Sequence, residues 1–159
     1  MKGMTVIVKT ISSWVKVLIL LFGIYIILFG DIGPGGGFAG GVILAASYVL
    51  LLLAFGSEFV ERNMPVSLVL RLLCVGMFCF IALAISGLFV GTGEFFRNWI
   101  YQDVVTKKGI DIHIIGAGII PLAEIAIGLL VAAAVYLVIF TFSTFRSEQR
   151  QDLPVESLE

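Results

Sequence analysis

"GDIGPGGGFAGGVILA", residues 30–45, sets seven glycines and one proline within residues 30–41, with an apolar run on either side. Such a stretch can be a phosphate-cradling loop, a flexible linker, or a turn between two elements that pack very closely. Gly35, Gly37 and Gly40 fit G-x-G-x-x-G, but that spacing denotes a dinucleotide site only where it follows a β-strand and opens a helix in a βαβ unit. Here a run long enough to cross a membrane precedes it. The Walker pattern also fails, since no Lys-Ser or Lys-Thr follows the glycines. A turn accounts for more of the residues. Pro34 and Gly35 suit a tight turn. Beyond them Gly37, Gly41 and Ala45 recur every four residues along one helix face, the small-xxx-small edge that lets helix backbones approach closely in lipid.

Composition says which solvent surrounds that edge. Of 159 residues, 60 % are hydrophobic and 13 % charged, and the mean hydropathy is +1.12. Soluble domains run at about 45–50 % apolar and 25 % charged. The chain therefore reads as an all-α integral membrane protein, surrounded by the lipid bilayer. The net charge of −1 leaves no basic stripe for nucleic acid. The opening "MKGMTVIVKTISSWVKVLILLFGIYIILFG" has lysines before an apolar run too long for a signal core, and it is expected to stay as a first span.

Spans need about 20 apolar residues. Four are expected, at about 13–29, 37–56, 66–90 and 112–142. Together they make one four-helix bundle over residues 1–142, followed by a polar tail at 143–159. Pro65 suits the first turn of the third span. The fourth span, at 31 residues, exceeds the membrane thickness, and Pro121 is expected to kink it by displacing the carbonyl of Ala117. Residues 91–111, rich in aromatics and charges, suit an amphipathic interfacial segment. Lys2, Lys9, Lys16, Arg62, Arg71, Arg146 and Arg150 gather on one side, against Arg97, Lys107 and Lys108 on the other. This excess puts both termini in the cytoplasm of a multi-pass cell-membrane protein.

Small residues recur in the later spans too. Gly76, Ala84 and Gly87 line part of the third, and Ala117, Pro121, Glu124, Gly128 and Ala132 share a stripe about 80° wide on the fourth. So many seams suggest a subunit set among other helices, the alternative being packing among its own four spans alone. Cys74 and Cys79 point apart on a helix and read as small buried hydrophobes.

The stretch "PGGGFAGGVILAASYVLLLLAFG", residues 34–56, resembles the MrpB/MnhB family, a small subunit of multisubunit Na⁺/H⁺ antiporters with relatives in membrane-bound hydrogenase-type complexes. Its core is Pro34, Gly35, Gly36, Gly37, Phe38, Gly40 and Gly41. The later "GTGEFF" and "IPLAEIAIGLLVAA" resemble the family more loosely, and the whole resemblance covers residues 15–142. Two positions depart from it. Asp31 stands where many members carry a histidine, and Glu124 where many carry an uncharged polar residue. The resemblance implies other membrane subunits as partners, with Na⁺ and H⁺ as the ions handled.

Glu124 carries the most chemistry. A carboxyl inside the bilayer is costly unless paired, hydrated or protonated, so Glu124 is an ion-path candidate; the plainer reading is a neutral or salt-bridged structural acid. His113, eleven residues earlier, would share its face on an unbroken helix, either as a proton donor or as a polar boundary residue. Asp31 can cap local amides or guide cations. No nucleophile–base pair, clustered metal ligands or redox-cofactor motif suggests an enzyme, and no cofactor is expected. The leading expectation is a non-catalytic subunit of a cation/proton antiporter module. A stand-alone, homodimeric proton-coupled transporter and an assembly factor are the alternatives.

Overall fold

The computed structural model describes residues 4–30, 32–90, 93–101 and 117–151. Helix α1 spans Val6–Leu28, α2 Gly37–Phe55, α3 Ser57–Asn63, α4 Val66–Phe89 and α5 Ile120–Gln151. Among the described residues, α1, α2, α4 and the Ile120–Phe145 part of α5 are long and apolar enough to cross a membrane. The chain is thus a multi-pass membrane protein, all-helical with four helices able to cross the membrane among the described residues.

Several boundaries differ from expectation. Helix α1 begins at Val6, seven residues before Ser13. The added turns set Lys9, Thr10 and Ser12 among Val6, Ile7, Val8 and Ile11, and a helix satisfies its own backbone outside lipid as well as inside. Thr10 and Ser13 accordingly donate back to the carbonyls of Val6 and Lys9, at 3.0 Å each. Between the second and third spans, where a loop was expected, lies α3, set off from α2 by Gly56. The last helix starts at Ile120 instead of 112, after a turn at residues 117–119. Pro121 therefore stands in a first helical turn, where its missing N–H costs nothing. It opens α5; the kink expected of it does not arise. At its other end α5 runs to Gln151, past the expected limit of 142, through "FRSEQRQ", a run rich in good helix formers.

Helix α2 is flanked by α1 on one side and α5 on the other, and α4 packs on the far side of α5. Burial follows from this order. Only 17 % of the apolar stretch is buried in α1 and in α4, against 39 % in α2 and 33 % in α5. The inner pair can be close because glycines line it. A Cβ on Gly41 would come 2.7 Å from the carbonyl oxygen of Gly128 in α5 and 2.9 Å from Cβ of Val131. On the adjoining face, a Cβ on Gly40 would strike Ile27 of α1 and come 2.8 Å from the carbonyl oxygen of Gly23. Ala45 is fully enclosed at 1 % exposure, which completes the edge read from the sequence. In α4, Gly76 meets the backbone of Ala126 and Leu130 in α5, both 3.1 Å from a Cβ placed there.

At the end of the bundle holding α3, Leu51, Leu52, Val60, Val69, Ala133, Tyr136 and Phe140 form the main core. Tyr136 stacks on Phe140 at 5.8 Å and donates from its hydroxyl to the carbonyl of Met64 at 3.3 Å. Cys74 and Cys79 are free and exposed on α4, not buried as the sequence suggested. A lipid-facing helix is apolar on its outer side too, so hydrophobicity alone did not reveal which way they turn.

The α2–α5 seam makes a direct prediction. Gly41→Val puts a branched side chain onto Gly128 and should cost about 1–3 kcal/mol, as overpacking does, read as a lowered thermal denaturation midpoint of the detergent-solubilised protein. Gly33→Ala, whose Cβ would meet only the Phe29 carbonyl at 3.6 Å, should leave that midpoint unchanged.

Candidate functional site: a carboxylate in a glycine cradle

The site forms where α1 ends, α2 begins and α5 begins. After Leu28 the chain turns sharply: the amides of Ile32 and Gly33 both donate to the carbonyl of Phe29, at 3.2 and 3.0 Å. The loop then closes on itself, so that a Cβ on Gly30 would collide with Cα of Gly36. Gly36 has φ of 110° and ψ of −176°, a conformation open to glycine and strained for other residues. The left-handed residue is thus Gly36. Pro34 and Gly35, expected to make the turn, lie on its exposed side.

Glu124 enters this loop from α5. A Cβ on Gly30 would lie 2.6 Å from its Oε2, and one on Gly36 would lie 3.2 Å from its Oε1. At Gly37 a Cβ would strike the Glu124 backbone carbonyl. Three glycines therefore surround one residue: Gly30 and Gly36 admit the carboxylate, and Gly37 admits the backbone that carries it. Oε2 is fully shielded from solvent. Glu124 stands four residues past Ile120, so about 6 Å along the helix, nearer the bundle end than the sequence suggested. The carboxylate also sits at the N-terminal end of α2, whose first amides have no intrahelical acceptor and whose dipole favours negative charge.

The remaining motif residues divide by face. Gly37 and Gly41 meet α5, Gly40 meets α1, and Phe38 turns outward at 69 % exposure. Asp31 and His113 lie outside the described residues. The shared face proposed for His113 and Glu124 needed an unbroken helix, and the turn at 117–119 interrupts it.

One residue was missed from the sequence. The Asn98 side chain donates from Nδ2 to the carbonyl of Ala117 at 2.8 Å. Its Oδ1 accepts from the amides of Ile119 at 3.0 Å and Tyr101 at 3.2 Å. A Cβ on Gly118, whose φ is 73°, would overlap that amide group. Asn98 thus clips the turn that launches α5, and with it Glu124. The segment around it is anchored to α4: Phe96 N–H donates to the Ala84 carbonyl at 3.1 Å, and Trp99 Nε1 to Ser86 Oγ at 3.1 Å. The partners are 19 to 21 residues from Asn98 in sequence, so no local pattern could announce them.

Residues 7–137, which hold every element of the cradle, match the family described as "Domain related to MnhB subunit of Na+/H+ antiporter". The chain belongs to the MnhB family. Among its MnhB-like relatives, an uncharacterized protein of Methanocaldococcus jannaschii is 35 % identical over 87 % of this chain. This chain spans about half of that relative's length, 52 %. A Staphylococcus epidermidis protein named "Putative antiporter subunit mnhB2" is 29 % identical over 92 % of this chain and 100 % of its own. A protein of the same name in Staphylococcus saprophyticus is 31 % identical over 64 % of this chain and 68 % of its own.

Removing the clip should be felt at the cradle. Asn98→Ala leaves a part-buried carbonyl and an amide without their partner, which costs about 1–3 kcal/mol. Amide hydrogen exchange should rise in the first turns of α5, including Glu124, while α1 keeps its protection. Unchanged exchange there would show that the turn holds itself.

Proposed function

We propose that this MnhB-family chain is a non-catalytic membrane subunit of a multisubunit cation (Na⁺)/proton antiporter module in the cell membrane. Its structural task is to pack and align the ion-translocating subunits. The outer faces of α1 and α4, apolar and little buried within the chain itself, are the surfaces for those neighbours and for lipid. Both termini lie in the cytoplasm, which puts the cradle at the opposite face of the membrane. The module is either a stand-alone antiporter or part of a hydrogenase-type respiratory complex.

The observation that carries a role in the ion path is the fit of Glu124 into Gly30 and Gly36. A carboxylate held against backbone, near a helix N-terminus and close to the bundle end, can take a cation or a proton from the outer face. It can pass that ion on to a neighbouring subunit without any bond being made. Glycines at 30 and 36 let the carboxylate lie directly against backbone, with no side chain of theirs between. Asp31 and His113 are further candidates for the ion path.

The test is a mild-detergent purification of the complex from native membranes, followed by transport in proteoliposomes. Wild-type chain should come down with several hydrophobic subunits, and redox subunits among them would mark the hydrogenase-type assembly. Glu124→Gln should assemble normally and lower cation-dependent proton exchange at least tenfold, whereas Glu124→Asp keeps part of it. Normal exchange in the Gln variant would remove Glu124 from the path. Recovery of the chain alone, as a homodimer that transports by itself, would overturn the subunit reading.

A further inference from the structure

Midway along its length, α1 carries a lysine that the antiport reading does not use. Lys16 stands twelve residues before Leu28, the last residue of α1, hence about 18 Å from the α1–α2 turn. A hydrocarbon core about 30 Å thick measured from that turn extends well past Lys16. Its charge therefore rises from within the bilayer and must reach toward the interface or meet an anion. The half-buried side chain places Nζ 5.4 Å from the centre of the Tyr48 ring. A turn or two nearer the helix start, Lys9 lies 5.7 Å from the Phe55 ring centre.

Lys16 opens into a cavity of about 310 Å³ that it shares with Ser13, Tyr48 and Asn63. This cavity is polar at its mouth, with an ammonium, a hydroxyl and an amide side chain together. Tyr48 and Met64 also border a second cavity of about 260 Å³ that runs deeper into the bundle. The second is almost wholly apolar. Leu20 and Ile24 of α1 form one wall and Val69 and Leu72 of α4 the other, over a floor that includes Ala45 and Ala132. Among the described residues, it is the gap between the two outer helices, which pack chiefly on the inner helices.

We propose that this pair of cavities binds an anionic phospholipid, with the phosphate at Lys16, Ser13 and Asn63 and one acyl chain in the slot between α1 and α4. Charge complementarity selects the headgroup, since the long Lys16 side chain can reach up along the cavity toward the bilayer edge, where lipid phosphates lie. The lining selects the chain: the slot is bounded almost wholly by apolar side chains of the bundle, the surface along which a single hydrocarbon chain lies. The bound lipid fills the gap between the outer helices and supplies the counter-charge that Lys16 needs.

The intact chain, purified in mild detergent after exposure to vesicles of equal phosphatidylglycerol and phosphatidylcholine, is examined by native mass spectrometry. Phosphatidylglycerol should be retained preferentially, and excess inorganic phosphate should not displace it. Lys16→Ala should lower its retention about fivefold, the effect of one basic charge at an anionic surface, and Lys16→Arg should restore it. Ala132→Leu, which narrows the slot and leaves the charge, should lower retention as well. Equal retention of the two lipids, or retention indifferent to Lys16, would overturn the proposal. So would a zero-length cross-link in native membranes from Lys16 to a carboxylate of another protein, since a partner would then occupy the mouth.

Discussion

The closeness of α2 to its two neighbours is the constraint on which the rest of this molecule depends. In lipid, apolar side chains gain little by turning inward, because the tails outside are equally apolar; helices hold together through van der Waals contact and a few polar bonds. Each atom pair contributes only about 0.1–0.2 kcal/mol, so the number of pairs decides the outcome. Glycines at 23, 37, 40, 41 and 128 replace side-chain thickness with backbone-to-backbone contact on both sides of α2. Each glycine also costs the helix about 1 kcal/mol relative to alanine, and the contact it permits must offset that. The position of Glu124 is a by-product of the same packing. With its backbone carbonyl against Gly37, its side chain has one direction open, toward Gly36 and Gly30.

This arrangement separates two tasks along the bundle axis. At one end, three chain segments meet around a carboxylate with almost no side chains in the way. At the other, aromatic residues around Tyr136 and the short helix α3 form a conventional core. Asn98 extends the first end outward, tying the segment packed on α4 to the turn that starts α5. The glycine cradle and the cavities beside Lys16 share no residue.

Much of this was legible in the sequence. Four apolar runs, a proline–glycine turn and the four-residue repeat of Gly37, Gly41 and Ala45 led to the right number of crossings and the right packing edge. Glu124 stood out because a carboxyl in an apolar run has few cheap explanations. Other features were hidden for identifiable reasons. Apolar composition marks where lipid begins, not where a helix does, so the start of α1 at Val6 and of α5 at Ile120 escaped it. Pro121 fits a helix start as well as a kink, and only the preceding turn separates the two. In a chain apolar on every side, hydrophobicity does not show which face is inward, and Cys74 and Cys79 were misread on that account. Asn98 and the cradle glycine Gly30 act through partners far away in sequence, where no spacing rule applies.

Among the described residues, the packing of α4 chiefly on α5 bears on how the chain is made. Helices α1 and α2 are neighbours in sequence and in space, so the second can pair with the first as soon as it leaves the ribosome. Helix α4 emerges when its main long-helix partner is still untranslated, thirty residues downstream. For that interval it has to reside in the bilayer unaided. Its mean hydropathy of 2.6 stands with the 2.3 of α1 and α2 and the 2.7 of α5, and Arg71 near its beginning is its one charge. The composition of α4 is thus apolar enough for a solitary period during biogenesis as well as for the finished bundle.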